Sequence, residues 1–91
     1  GTQFIETVPV GMSFQARINI RTKFFEIFYG HLENLAEKDS KGLDALKIIL
    51  MAYCHTEDKL RGEVDPERKI FPKINQVWGE YVDKLIDQAD E

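Results

Sequence analysis

The side chains best suited to chemistry stand close together in the sequence, where Cys54, His55, Glu57 and Asp58 occur within five residues. Such groups form metal sites or Cys–His nucleophile pairs when their side chains converge. Neighbouring residues on a helix point about 100° apart, so Cys54 and His55 do not face each other. Neither His55 nor His31 has a cysteine or another histidine three or four residues away. We therefore expect a buried free cysteine beside a surface histidine, with no metal site and no catalytic residue.

The rest of the sequence adds no catalytic signature. It contains no phosphate-binding glycine loop, no nucleophile elbow and no paired-cysteine motif. Asp44, Glu57 and Asp58 do not form an evident carboxylate pair. The sequence predicts a protein that is not an enzyme and needs no cofactor.

Charge and composition limit the partners. The net charge is −4, which argues against broad, non-specific binding to nucleic acid or anionic membranes. No apolar run approaches the roughly 18 residues of a membrane span, and no signal-peptide pattern is present. A single cysteine excludes a disulfide within the chain. We expect a cytoplasmic protein with no membrane partner.

Ninety-one residues suffice for one small domain, and we assign residues 1–91 to a single helical domain. The chain begins with glycine rather than methionine. Residues 1–12 are therefore expected to be an extended arm or a segment foreign to the natural protein. If Met12 is the natural start, the foreign part is residues 1–11. The alternative is that the whole chain is a domain of a longer protein.

Polar and apolar side chains alternate without a break from Ser13 to Arg21, which is typical of a strand. The apolar face consists of Phe14, Ala16, Ile18 and Ile20, and the polar face of Gln15, Arg17, Asn19 and Arg21. Three interpretations are open for this segment. It can pair with residues 3–8 as a hairpin, pair with its own copy in a dimer, or begin a long helix with Arg17 and Arg21 in its apolar stripe.

Two helices follow the alternating segment. Apolar residues recur at helical spacing over residues 22–37, which predicts the first helix. The second is predicted over residues 41–61, with Asp39 or Ser40 as its N-cap. Only one residue in ten between Ala45 and Cys54 is charged. A helix that is apolar on most sides is buried on most sides, so we expect the second helix to be central or to form a dimer interface.

A third helix is predicted from Asp65 as N-cap and Pro66 at the first helical position. Pro72 lies inside the run and removes a backbone hydrogen bond, which predicts a kink. Asn75 falls beside the apolar stripe. The stripe consists of Ile70, Phe71, Ile74, Val77, Trp78, Tyr81, Val82, Leu85 and Ile86.

Together these elements predict a mainly α fold, with an N-terminal strand or hairpin followed by three helices in a compact, dimeric bundle. The excess of apolar helical surface indicates a small protein–protein interaction or assembly module that acts by homodimerisation or by binding another protein. The residues expected to contact the partner are Phe4, Ile5, Phe14, Ile18, Ile20, Phe24, Ile27, Ile48 and Met51.

A strand with a Gln-Arg-Asn polar face followed by two helices resembles the ribbon–helix–helix class of DNA-binding proteins, over about residues 13–54. The resemblance implies a dimer whose paired strands enter the major groove, as in transcriptional regulators and antitoxins. It implies that Gln15, Arg17 and Asn19 contact bases and that Arg21 and Lys23 contact phosphates. Duplex DNA is the partner only under this alternative.

Overall fold

The structure is a computed structural model that describes residues 3–89. A two-stranded hairpin is followed by three helical segments, which confirms the predicted order of a hairpin and three helices. Its elements are strands β1 (Ile5–Val10) and β2 (Ser13–Ile18), a π-helical turn (Phe25–Tyr29) continuing into α1 (Gly30–Leu35), α2 (Lys41–Val64) and α3 (Ile70–Ala89).

The alternating segment forms the second strand of the hairpin. β1 and β2 are antiparallel, with Ile5 opposite Ile18 and Val10 opposite Ser13. The turn places Gly11 at φ 61°, a conformation that glycine adopts without a steric penalty and that type II′ hairpin turns require at this position. The hairpin interpretation is therefore the one observed. Within the predicted arm of residues 1–12, residues 5–10 form β1, and residues 1 and 2 lie outside the described part.

The hairpin and the helices share a small core. Phe4 and Ile5 pack with Leu50 and Cys54 of α2. The Phe4 ring also meets Trp78 of α3 edge-on, with centroids 4.5 Å apart. An isolated two-stranded hairpin is marginally stable in water, so this packing on α2 and α3 is what holds it in place.

The first helical segment contains a π-helical turn that the sequence does not predict. The Gly30 N–H donates to the Phe25 carbonyl, five residues earlier. The additional residue in this turn breaks the 3.6-residue period, so Tyr29 is buried while Phe28 and Leu35 stay exposed. The predicted apolar stripe of this segment is therefore divided between the core and the solvent.

Helix α2 is buried on one face only. The Asp39 carboxylate accepts the Lys41 N–H at its start, and the helix continues three residues beyond the predicted end. Leu50 and Cys54 are buried, but Ile48 and Ile49 are 68% and 67% exposed. Within the single chain, α2 is not the enclosed element that its composition predicts.

Helix α3 begins at Ile70, later than predicted, because residues 66–69 form a turn in which Arg68 has φ 57°. The buried Asp65 carboxylate accepts the N–H groups of Lys69 at 2.6 Å and Phe71 at 2.9 Å. Burial alone would raise the pKa of Asp65, but these hydrogen bonds outweigh it and the net pKa is lowered. Pro72 falls in the first helical turn, where its missing N–H costs no intrahelical bond. The expected kink inside a longer helix therefore does not arise.

The molecule is flat. Its principal dimensions are 40 × 30 × 17 Å and its radius of gyration is 14.3 Å, against about 12 Å for a compact domain of this length. The helices do not close into the compact bundle that the sequence predicts. Among residues 3–89, no helix is both long and apolar enough to cross a membrane.

Candidate interaction surface

The most extended apolar surface runs along α3, and we call it the α3 row. Its side chains are 37–62% exposed and follow one another at spacings of four, three, four and four residues. Such spacing places them on one face of the helix. The α3 row consists of Ile70, Ile74, Val77, Tyr81 and Leu85.

The opposite side of the same apolar arc faces the chain's own core. Phe71 and Ile86 are buried, and Trp78 and Val82 are half-buried against the core. The stripe that the sequence predicts as one surface is thus two adjacent surfaces, of which only one has a partner within the chain. Sequence periodicity detects the arc but cannot tell which part of it the chain covers itself.

Helix α2 adds apolar surface beside the α3 row. The Tyr53 ring meets Trp78 edge-on, with centroids 4.9 Å apart. On α2, Ile49 lies one turn before Tyr53 and is therefore its neighbour on the helix surface. On α3, Ile74 and Tyr81 lie one turn before and after Trp78 and are its neighbours in the same way. The exposed Ile49 and the α3 row therefore flank the Tyr53–Trp78 contact from the two helices.

The predicted partner-contact residues fall into three groups. Phe4 and Ile5 are 4% and 3% exposed and lie in the core, where their own chain covers them. Phe14, Ile18 and Phe24 are half-buried. The exposed members are Ile20, Ile27, Ile48 and Met51.

Two of the predicted DNA-contacting residues lie on the outer face of the hairpin. Gln15 and Arg17 are exposed, and the Arg17 guanidinium donates to the Gln15 side-chain oxygen at 3.2 Å. Arg17 also lies directly opposite Glu6 of β1. A carboxylate at this position reduces the positive potential that a phosphate backbone would require.

The other three lie in the segment that follows β2. The Asn19 side chain donates to the Gln3 carbonyl at 3.1 Å and accepts the Arg21 N–H at 3.0 Å, so it stabilises the chain after β2. Lys23 forms an ion pair with Asp87 of α3, at 2.8 Å. The alternation that predicted a strand is confirmed for residues 13–18, which form β2.

The Cys–His–carboxylate group of α2 is dispersed by the helix. Cys54 is fully buried, and burial raises the pKa of its thiol although a hydrogen bond with Thr7 opposes this. His55 is exposed, and its ring packs edge-on against Phe14, with centroids 4.8 Å apart. Among residues 3–89, no group of three or more His, Cys, Asp or Glu side chains is placed to hold a metal ion.

A buried polar network joins α2 to α3, and sequence analysis missed it. The Tyr53 hydroxyl donates to the Asn75 side-chain oxygen (Oδ1) at 2.6 Å, and the Asn75 side-chain amide donates to the Glu57 carboxylate at 3.3 Å. Glu57, 4% exposed, also lies 3.5 Å from Arg61. Burial, followed by the nearby Glu57 carboxylate, raises the pKa of Tyr53 to about 12. The network fixes the relative position of the two helices that carry the exposed apolar side chains.

An open cleft of about 620 Å³ separates the hairpin from α3. Six of its eight lining residues are polar or charged, whereas a typical small-molecule site is lined mostly by apolar and aromatic side chains. The cleft lining is Gln3, Ile5, Glu6, Arg17, Ile18, Asn19, Gln76 and Glu80.

Comparison with known proteins shows no matching family model, no similar curated protein and no similar solved structure. The functional argument therefore rests on the geometry of the chain itself.

Proposed function

We propose that this protein is a non-enzymatic interaction module that works by docking the exposed apolar faces of its helices onto a protein surface. The observation that carries the proposal is the amount of surface. The chain exposes 6709 Å², whereas a monomer of 10.6 kDa typically exposes about 5,500 Å². The excess of about 1,200 Å² exceeds the roughly 800 Å² that each partner buries in a standard protein–protein interface.

The character of this surface supports the same function. Within residues 3–89, fifteen large hydrophobic side chains are exposed, and twelve of them lie on the helical segments. Single exposed apolar residues are common on monomers, but rows of them mark interaction sites. The rows lie on helices fixed by the core and the polar network, so the docking surface is formed before a partner arrives.

Two contacts of the predicted DNA-reading residues argue against DNA binding. Arg17 lies opposite Glu6, and the Asn19 amide is engaged in the chain's own hydrogen bonds. We expect no binding to duplex DNA at low salt in a fluorescence anisotropy titration. Binding that is lost in Arg17→Ala would restore the alternative.

The function is tested by photo-crosslinking in living cells. A photoreactive residue is introduced at Ile49, and at the exposed Lys59 as the matched control on the same helix. We expect a protein adduct from position 49 that is absent from position 59. If both positions give the same adducts, or if position 49 gives none, the proposed docking function is refuted.

A further inference from the structure

We infer that the docked partner is a second copy of this chain, bound antiparallel through the α3 row. This inference rests on the proposed function and gives it a partner. The α3 row has the four-and-three spacing of a coiled-coil seam from Ile70 to Tyr81. Ile70, Ile74 and Tyr81 are each about half exposed, so the surface is available along the whole seam.

The row is complementary to itself in the antiparallel direction. A two-fold axis passing between Asn75 and Gln76 places Ile74 opposite Val77 of the second copy, and Ile70 opposite Tyr81. Each contact is then repeated on the other side of the axis, as a closed two-fold interface requires. Four apolar layers result, and Leu85 extends beyond them.

The charges beside the row select this direction. Lys73 and Glu80 lie seven residues apart on the same border of the row. With the axis between residues 75 and 76, Lys73 of each copy lies within two residues of the level of Glu80 of the other, about 3 Å along the helix, which two long side chains can span. A parallel arrangement places the two copies of this border on opposite sides of the seam, so it would leave Lys73 without Glu80 of the second copy beside it.

The required area brings in α2. A seam of four layers on single helices is short of the roughly 800 Å² per partner that a stable dimer buries. Ile49, on the other side of the Tyr53–Trp78 contact, extends the same surface and is 67% exposed. We therefore place it at the edge of the dimer interface, whereas Ile48 projects about 100° away from it on α2.

Sedimentation equilibrium over a range of micromolar concentrations tests the inference. We expect the parent to approach twice its 10.6 kDa mass and Ile74→Glu to raise the dimer dissociation constant by about 100-fold. Ile48→Glu is the matched control, since Ile48 is more exposed than Ile74, and should change the constant by less than about twofold. Circular dichroism melting checks that each variant folds; Tyr81→Lys replaces Ile74→Glu if that variant does not.

Charge reversal tests the direction. Lys73→Glu should weaken the dimer about tenfold and Glu80→Lys similarly, because two ion pairs per dimer become repulsive. The double variant Lys73→Glu with Glu80→Lys should recover most of the parent affinity. Failure of the double variant to recover overturns the antiparallel arrangement.

The remaining outcomes separate this inference from the proposed function. A parent that is monomeric at high micromolar concentration overturns the second copy as partner, while an adduct from position 49 of a different mass still supports docking. A dimer that is disrupted by Ile48→Glu and not by Ile74→Glu overturns the α3 row as the interface, while the adduct test at position 49 decides the proposed function separately.

Discussion

Replacing Asn75 by alanine tests whether the buried polar network holds α2 and α3 together. Asn75 is 5% exposed, and its side chain accepts from the Tyr53 hydroxyl and donates to the Glu57 carboxylate. Asn75→Ala removes the acceptor of the first bond and the donor of the second. Glu57 then keeps Arg61, at 3.5 Å, as its charged neighbour.

The cost follows from what is left unpaired. Losing the Tyr53 hydrogen bond costs about 1 kcal/mol, and leaving a buried carboxylate oxygen without its donor costs about 1–3 kcal/mol. We expect Asn75→Ala to lower the free energy of unfolding by about 3 kcal/mol. For a domain of this size that corresponds to a decrease in Tm of roughly 12–24 °C.

Urea unfolding followed by circular dichroism measures this change, at protein concentrations low enough that association does not contribute to stability. The matched control is Asn34→Ala on the exposed surface of α1, which should change the free energy by less than about 0.5 kcal/mol. A double-mutant cycle with Tyr53→Phe should give a coupling of about 1 kcal/mol. A loss below about 1 kcal/mol in Asn75→Ala, or additive effects in the cycle, would refute the network as a fixing element.

Three further predictions use the same unfolding measurements or a titration. Gly62→Ala should raise the free energy of unfolding by about 0.5–1 kcal/mol, because nothing lies within 4 Å of the added methyl group. Gly11→Ala should lower it by about 1 kcal/mol, because its φ of 61° is unfavourable for alanine. Equal changes in the free energy of unfolding at the two positions would contradict this reasoning about backbone conformation. Because the pKa of Asp65 is lowered in the folded state, its ionised carboxylate stabilises the fold at pH values above the ordinary carboxyl pKa. This stabilisation is lost as the pH falls through the folded-state pKa. The urea midpoint should therefore decrease less on acidification in Asp65→Asn than in the parent. Spectrophotometric titration should show Tyr53 ionising near its raised pKa of about 12. The free energy of unfolding should decrease as the pH rises through that value. The ionisation assigned to Tyr53 should be absent from the titration of Tyr53→Phe.

Elements with a clear period could be predicted from the sequence. The alternation from Ser13 identified β2, and helical spacing identified all three helical segments. The strand's partner could not be predicted in the same way, because β1 and a second copy offer equally suitable edges and only packing of Phe4 and Ile5 on α2 decides between them. The π-helical turn escaped for a related reason, since one additional residue shifts the phase of the helix without changing its composition.

Residues that depend on contacts between helices were the ones missed. Asn75 lies beside the apolar stripe in the sequence, yet it is buried because Tyr53 and Glu57 of α2 supply its partners. The Asp65 carboxylate accepts N–H groups at the start of α3, but Asp65 is not the residue that precedes the helix as predicted, because a turn over residues 66–69 separates them. In that turn Arg68 adopts a left-handed conformation that is uncommon for residues other than glycine, and nothing local in the sequence indicates it.

The apolar residues of α3 were predicted correctly from their helical spacing, but the prediction assigned all of them to one surface. A helix that packs on one neighbour needs an apolar stripe somewhat wider than 100°. The apolar side chains of α3 from Val77 through Ile74 and Phe71 to Ile86 cover about half of its circumference. One neighbour cannot cover an arc of that width, and the core buries only the Phe71–Ile86 side of it. An apolar arc of this width fits a helix that packs against two neighbours. The core is one of them, and the uncovered α3 row is where the second copy would dock.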